Sequence, residues 1–246
     1  MGKTIFIAGK DLPDGGDFAD GMALAGRKTA VTGNPENARN SVSSADIVIA
    51  PWNRPSSISA RSAVLEAETA FGSAAEDAVL YFDAPLYASR FTGFTPDECT
   101  RAADTMVTGY GYMAIELLSR LDQRSASGRI VFLLKQHPTL EQALRSASIR
   151  SSVSTPCSPL VSAAQASFTA LAENTAALAG DRPNVTIILV TCDDQNETAA
   201  KDSTLASWLS GYLDEVEGLK NKLSAKQSLV WIKAGAKGPG IRSFFH

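Results

Sequence analysis

The sequence predicts a three-layer α/β/α sandwich around one doubly wound parallel sheet of about seven strands. Two observations carry this. Short apolar runs alternate with amphipathic stretches of helical period along the chain, and no linker or internal repeat interrupts them. Between Gly128 and Asp194 the order is strand, crossover helix, strand: Gly128-Arg-Ile-Val-Phe-Leu-Leu134, an Ala-rich stretch from about Leu160 to Ala179, then Val185-Thr-Ile-Ile-Leu-Val190. Parallel neighbours need a return connection of that length. A single domain over residues 1–246 is a natural size, and a chain this long buries about 70–75% of its unfolded surface without a metal or disulfide staple.

The elements follow in order. Lys3 to Ala8 is a first strand ended by Gly9, and the turn Lys10–Gly16 leads into a short helix through Phe18, Met22 and Leu24. Arg27–Thr32 is the second strand and Asp46–Ala50 the third, stopped by Pro51. Ser56 or Ser57 caps a helix reaching Phe71, because a serine hydroxyl can take an unpaired amide of the first turn. Ala78–Phe82 is the fourth strand. Thr95-Pro-Asp-Glu98 combines a capping threonine, proline at the first helical position and a glutamate at the third, and so opens a helix to about Leu121. After strands five and six, a helix from about Thr198 to Leu223 carries Leu205, Trp208, Leu209, Tyr212 and Val216 on one face. Ser228–Ile232 is the last strand, followed by a Gly-rich tail.

Composition narrows the function classes. With 23 basic and 26 acidic residues scattered along the chain, no basic stripe points to nucleic acid. Three widely spaced cysteines (Cys99, Cys157, Cys192) fit a reducing compartment rather than a disulfide framework. No apolar run approaches the length of a membrane span and no apolar signal region precedes the first strand, so a soluble cytoplasmic protein is expected. No His/Cys/Asp cluster has metal-ligand spacing.

Several motifs resemble those of the short-chain dehydrogenase/reductase family, over nearly the whole chain. Gly9-Lys-Asp-Leu-Pro13-Asp-Gly15 resembles the family's Gly-x-x-x-Gly-x-Gly turn with Pro13 at the middle glycine, and Asp83-Ala84-Pro85 stands where the family has Asn-Ala-Gly. Met106-Val-Thr-Gly109 stands where the family has Asn-x-x-Gly, Gly128-Arg-Ile-Val matches Gly-x-Ile-Val, and Val161-Ser-Ala-Ala-Gln165 stands at Tyr-x-x-x-Lys. The resemblance implies a Rossmann-type fold and NAD or NADP as cofactor, with Gly9, Lys10, Gly15 and Asp83 lining its site. It also implies self-association through the helices 96–121 and 160–179. The family's asparagine, serine, tyrosine and lysine fall on Met106, Lys135, Val161 and Gln165. Valine has no proton to give and glutamine no charge, so a degenerate active site is expected.

Two alternatives stay open at this point. The chain is a non-catalytic ligand-binding homologue, or an oxidoreductase using the replacement residues Lys135 and His137. Pro13 removes an amide donor from the first turn, and Asp11, Asp14 and Asp17 set negative charge where phosphate would lie. After the second strand, Gly33-Asn34-Pro35 offers no ribose-binding acid, leaving Glu36 as a late candidate. Trp52 and Arg54, in the loop after strand three, could stack on and pair with a planar anionic ligand, or cover the core edge and pair with a carboxylate. Cys192, beside two aspartates, reads as a buried thiol rather than a nucleophile. The segment from Gln136 to Pro159, with Leu140, Leu144 and Ile149 at helical spacing, is a lid over the strand ends or a surface insertion.

Overall fold

The computed structural model describes residues 3–34, 42–44, 46–124, 127–145, 157–219, 223 and 225–238. Glu36, Ile149 and His246 lie outside them. Seven parallel strands form one sheet in the order β3-β2-β1-β4-β5-β6-β7. They are β1 (Thr4–Leu12), β2 (Lys28–Gly33), β3 (Val48–Ala50), β4 (Asp77–Asp83), β5 (Gly128–Lys135), β6 (Val185–Cys192) and β7 (Trp231–Lys233). The order reverses between β1 and β4, which opens a crevice at the carboxyl ends of the strands, where ligands bind in doubly wound sheets.

Strand alternation sorts side chains between two cores. Phe6, Ala8, Leu80, Phe82, Phe132 and Leu134 face one, closed by helices α2 (Ser57–Phe71), α5 (Gly109–Asp122) and α7 (Pro159–Leu178). Ile5, Ile7, Val79, Tyr81, Val131 and Leu133 face the other, closed by α1 (Gly16–Leu24) and α8 (Asp202–Glu217). Burial on both faces is why the central strands read as unbroken apolar runs. At the amino ends, Asp77 is fully buried between Arg27 (Nη1, 2.5 Å) and Arg129, and Arg27 reaches Asp214 at 2.7 Å, which ties β2, β4, β5 and α8 together. No helix among the described residues is long and apolar enough to cross a membrane.

Several boundaries differ from the sequence reading for visible reasons. β1 continues past Gly9 to Leu12, because Gly9 adopts φ 105° and lets the strand bulge and pair again at Leu12–Gly33. Helix α3 (Ala84–Arg90) follows β4 directly, with the Asp83 carboxylate accepting the Leu86 amide at 3.0 Å. The helix from Thr95 comprises α4 (Pro96–Ala103), a π-helical turn Asp104–Thr108, and α5. In the Gln136–Pro159 segment, Leu140–Arg145 forms α6, and residues 146–156 lie outside the described set. The last long helix is shorter than expected. Asn196 caps a separate 3-10 turn Glu197–Ala199, and α8 starts at Asp202. Ser228 ends a short helix α9 (Ala225–Ser228) rather than starting a strand. Leu229 and Val230 are exposed, and pairing with β6 begins only at Trp231.

Candidate functional site

Two side-chain networks stand at the crevice. The first gathers Lys10 of β1, Asp83 at the end of β4, Lys135 at the end of β5 and Asp202, the first residue of α8. Lys10 Nζ lies 2.5 Å from Asp83 Oδ2 and also donates to Asp202 Oδ2. Lys135 Nζ is 3.7 Å from Asp202 Oδ1, and the Tyr81 hydroxyl donates to that same oxygen at 3.0 Å. Two cations and two anions balance in a space where none of the four side chains exceeds 17% exposure. Burial pulls the Lys10 pKa down, but Asp83 and Asp202 outweigh it and the ammonium is held above its ordinary range. Burial, and then the Asp202 charge, push the Tyr81 hydroxyl well above its usual value.

The second network centres on Arg54. Its Nε and Nη2 donate to Asp11 Oδ2 at 3.0 and 2.8 Å, and Nη2 also donates to the Gly9 carbonyl. Nη1 donates to the Tyr87 hydroxyl at 2.6 Å and to the Thr105 carbonyl at 2.8 Å. The guanidinium lies over the rings of Trp52 (4.7 Å), Tyr110 (5.4 Å) and Tyr87 (5.7 Å). Tyr87 and Tyr110 share a hydrogen bond of 2.8 Å, and Tyr110 donates to the Tyr81 carbonyl at 2.7 Å. Burial pulls the Arg54 pKa down; Asp11 and then the two tyrosines more than offset this.

The glycines of the first turn answer to the protein's own packing. A Cβ on Gly9 would collide with the Tyr81 carbonyl and the Tyr110 ring, and one on Gly15 with the Lys10 carbonyl. At the start of α1, the Asp17 carboxylate accepts the Ser203 amide at 2.8 Å, and Asp14 pairs with Arg90 at 2.5 Å.

Gly9, Lys10 and Asp83 therefore come together, with Lys135 joined through Asp202. Trp52 and Arg54 stack on each other above Gly9. His137 lies elsewhere, lining a cavity of about 580 Å³ with Pro85, Ala88, Phe94, Leu140 and Ser158. Ser158 is the N-cap residue of α7, yet its Oγ makes no capping bond and is buried without a hydrogen-bond partner among the described residues. Of the positions aligned with the family's catalytic groups, Met106 and Val161 are fully buried, and Gln165 Oε1 accepts the His137 amide at 3.0 Å. Cys192 is pushed up to about 12, by burial first and despite Lys135, so it stays a thiol at neutral pH. Among the described residues no three His, Cys, Asp or Glu side chains are grouped to hold a metal.

Sequence reasoning passed over Asp202, Tyr81 and Tyr87. Asp202 is the acidic residue of the first turn of α8, a position that ordinarily reads as a favourable helix start. The two tyrosines sit in apolar patterns that hide a hydroxyl.

No protein-family model matches the sequence, and the search of curated proteins returns no match. Solved structures do match. A short chain dehydrogenase from Mycobacterium smegmatis superposes with a TM-score of 0.65 at 14% identity, covering 96% of this chain and 92% of that one. The apo form of LigD from Sphingobium sp. strain SYK-6 gives 0.63 at 16% identity over 94% and 88%. A 3-ketoacyl-(acyl-carrier-protein) reductase from Brucella melitensis, complexed with NADH, gives 0.62 at 12% identity over 95% and 98%. At these identities the likeness is one of fold. The chain has the Rossmann-type scaffold on which those dehydrogenases and reductases are built.

Proposed function

We propose that this chain is a non-redox, ligand-binding relative of the NAD(P)-dependent oxidoreductases, its dinucleotide crevice occupied at Gly9 by its own Arg54 side chain. Arg54 carries the reading. All five of its N–H groups are spent within the chain, one of them on the Gly9 carbonyl at the switch point between β1 and β4. A pyrophosphate there would have to displace a guanidinium already paired with Asp11, and would then meet Asp11, Asp14 and Asp17 at the start of α1. The residues present do not fit a dinucleotide.

Ligand binding is supported by the 580 Å³ cavity, which falls within the usual range of small-molecule sites. Its walls are largely apolar, and the Ser158 hydroxyl, which has no hydrogen-bond partner among the described residues, stands at its edge. A mainly apolar molecule bearing one hydroxyl or carbonyl suits that lining. The competing reading, an oxidoreductase working through Lys135 and His137, draws on the place of His137 in the same cavity.

Turnover separates the two. Purified protein incubated with NADH or NADPH and a panel of aldehydes and ketones should oxidise neither cofactor above the uncatalysed rate. Oxidation that disappears in Lys135→Ala or His137→Ala would restore the enzyme.

A further inference from the structure

The 580 Å³ cavity opens between the segment that follows α3 and the start of α6. Phe94 and Leu140 both line it, yet they are 73% and 48% exposed, so they stand at its mouth. Cys157, also in the lining, is 1% exposed and marks the deep end. Leu144 lies outside the lining, one helical turn beyond Leu140 on the same side of α6, and is 68% exposed. We propose that the cavity takes an uncharged single-chain amphiphile, its polar end inside and its hydrocarbon chain running out between Phe94 and Leu140 and over Leu144. That class rests on the cavity being a ligand site, and names what such a site would hold.

Charge decides the polar end. Among the described residues no aspartate, glutamate, lysine or arginine lines the cavity, and its polarity comes from Ser89, Thr92, His137 and Ser158. A carboxylate or ammonium carried in would lose its hydration with no ion to pair with, whereas a hydroxyl, ester or amide needs only a hydrogen bond. On α6, Glu141 and Arg145 pair with each other at 2.9 Å, so the helix brings no net charge to the mouth.

Shape decides the rest of the molecule. Single exposed apolar side chains are ordinary on a protein surface, but Phe94, Leu140 and Leu144 together make a strip that leads out of an apolar cavity. Residues four apart on a helix lie about 5–6 Å from each other, so Leu144 carries the strip that far past Leu140. A compact ligand would fill the cavity and leave Leu144 in water. A flexible chain of about ten carbons covers both, each fully buried methylene strengthening binding about fourfold.

The test is calorimetric titration with 1-hexanol, 1-decanol, decanoate and decylammonium, each kept below the concentration at which it aggregates. 1-Decanol should bind at least about tenfold tighter than 1-hexanol, and each ion about tenfold more weakly than 1-decanol. Phe94→Ser and Leu144→Ser should each weaken 1-decanol about fivefold and 1-hexanol by less, because the shorter chain ends nearer the mouth. Leu24→Ser, on α1 and 87% exposed, controls for general adhesion of alkyl chains and should leave both affinities unchanged. All three side chains are exposed, and circular dichroism checks that the variants fold. If neither alcohol binds, the cavity is no ligand site and the proposal falls with it. If both bind but 1-decanol gains nothing over 1-hexanol, or decanoate matches 1-decanol, the cavity stands as a ligand site and the uncharged chain is refuted. A Leu144→Ser variant that keeps the affinity for 1-decanol and instead changes the sedimenting mass would assign the strip to a protein partner, and likewise overturns the proposal.

Discussion

Replacing Arg54 by methionine keeps much of the side-chain volume and removes the guanidinium. The Asp11 carboxylate, which also accepts from Thr32, loses its partner, and the Gly9 and Thr105 carbonyls lose a donor. Breaking a fully buried pair costs about 3–5 kcal/mol. Asp11 is 29% exposed, so water relieves part of that. With the Asp11 cost reduced, the Thr105 carbonyl deprived of a donor and the Gly9 carbonyl still accepting the Tyr87 hydroxyl at 3.1 Å, the expected destabilisation is about 3 kcal/mol. For a chain of this size that corresponds to a fall of about 6–12 °C in Tm. Urea unfolding should show a lower midpoint at an unchanged slope, which marks a loss of native stability rather than a changed unfolded state. Adding Asp11→Asn to Arg54→Met should recover part of the loss, with a coupling of about 1–3 kcal/mol between the two sites. A cost for Arg54→Met below about 1 kcal/mol would refute the reasoning, since a guanidinium that leaves so cheaply could also move aside for a cofactor.

Other outcomes follow from the same geometry. Near pH 8, a disulfide reagent should modify Cys99 quickly and Cys157 and Cys192 only on unfolding, because burial raises both of those thiols, Cys192 to about 12; a second fast thiol would contradict this. Asp83 and Asp202 outweigh burial and hold Lys10 above the ordinary lysine pKa, so its contribution to stability is complete below that ordinary value and is lost as pH rises through the folded pKa. Lys10→Met should accordingly flatten the alkaline limb of the stability curve, and an unchanged limb would place the titration elsewhere. Self-association through the helices 96–121 and 160–179, which the family resemblance implies, would bury Ile115, which is 67% exposed on α5. Sedimentation velocity at micromolar concentration should then give a dimer or larger, shifted toward monomer by Ile115→Glu, and a monomeric wild type would remove the idea.

The fold was legible because its signals are local. Gly128–Leu134 and Val185–Val190 are apolar on both faces and prove to be central strands, and Thr95 caps the Glu98 amide at 3.3 Å as the motif predicts. Helix α3 was missed because Asp83-Ala-Pro85 resembles a strand-end motif. There the aspartate both caps the helix and pairs with Lys10. The candidate site was legible only in part, because its pairings are long-range. Arg54 meets Asp11 across 43 residues, and Lys10 meets Asp202 across 192. Trp52 and Arg54 stood out as unusual residues at the right edge. Nothing in their surroundings along the chain says that the arginine turns inward onto Gly9 rather than outward to a ligand.

The occupation of the crevice by Arg54 is tested most directly by an equilibrium titration of the wild-type protein with NADH and NADPH, followed through nicotinamide fluorescence and Tm together. With Arg54 seated on Asp11 and Gly9, neither cofactor should change its fluorescence or raise Tm up to millimolar concentration. Saturable binding in the micromolar range, with the stabilisation of a few kcal/mol that a native-state ligand gives at saturation, would mean that the crevice opens and that this account of Arg54 is wrong.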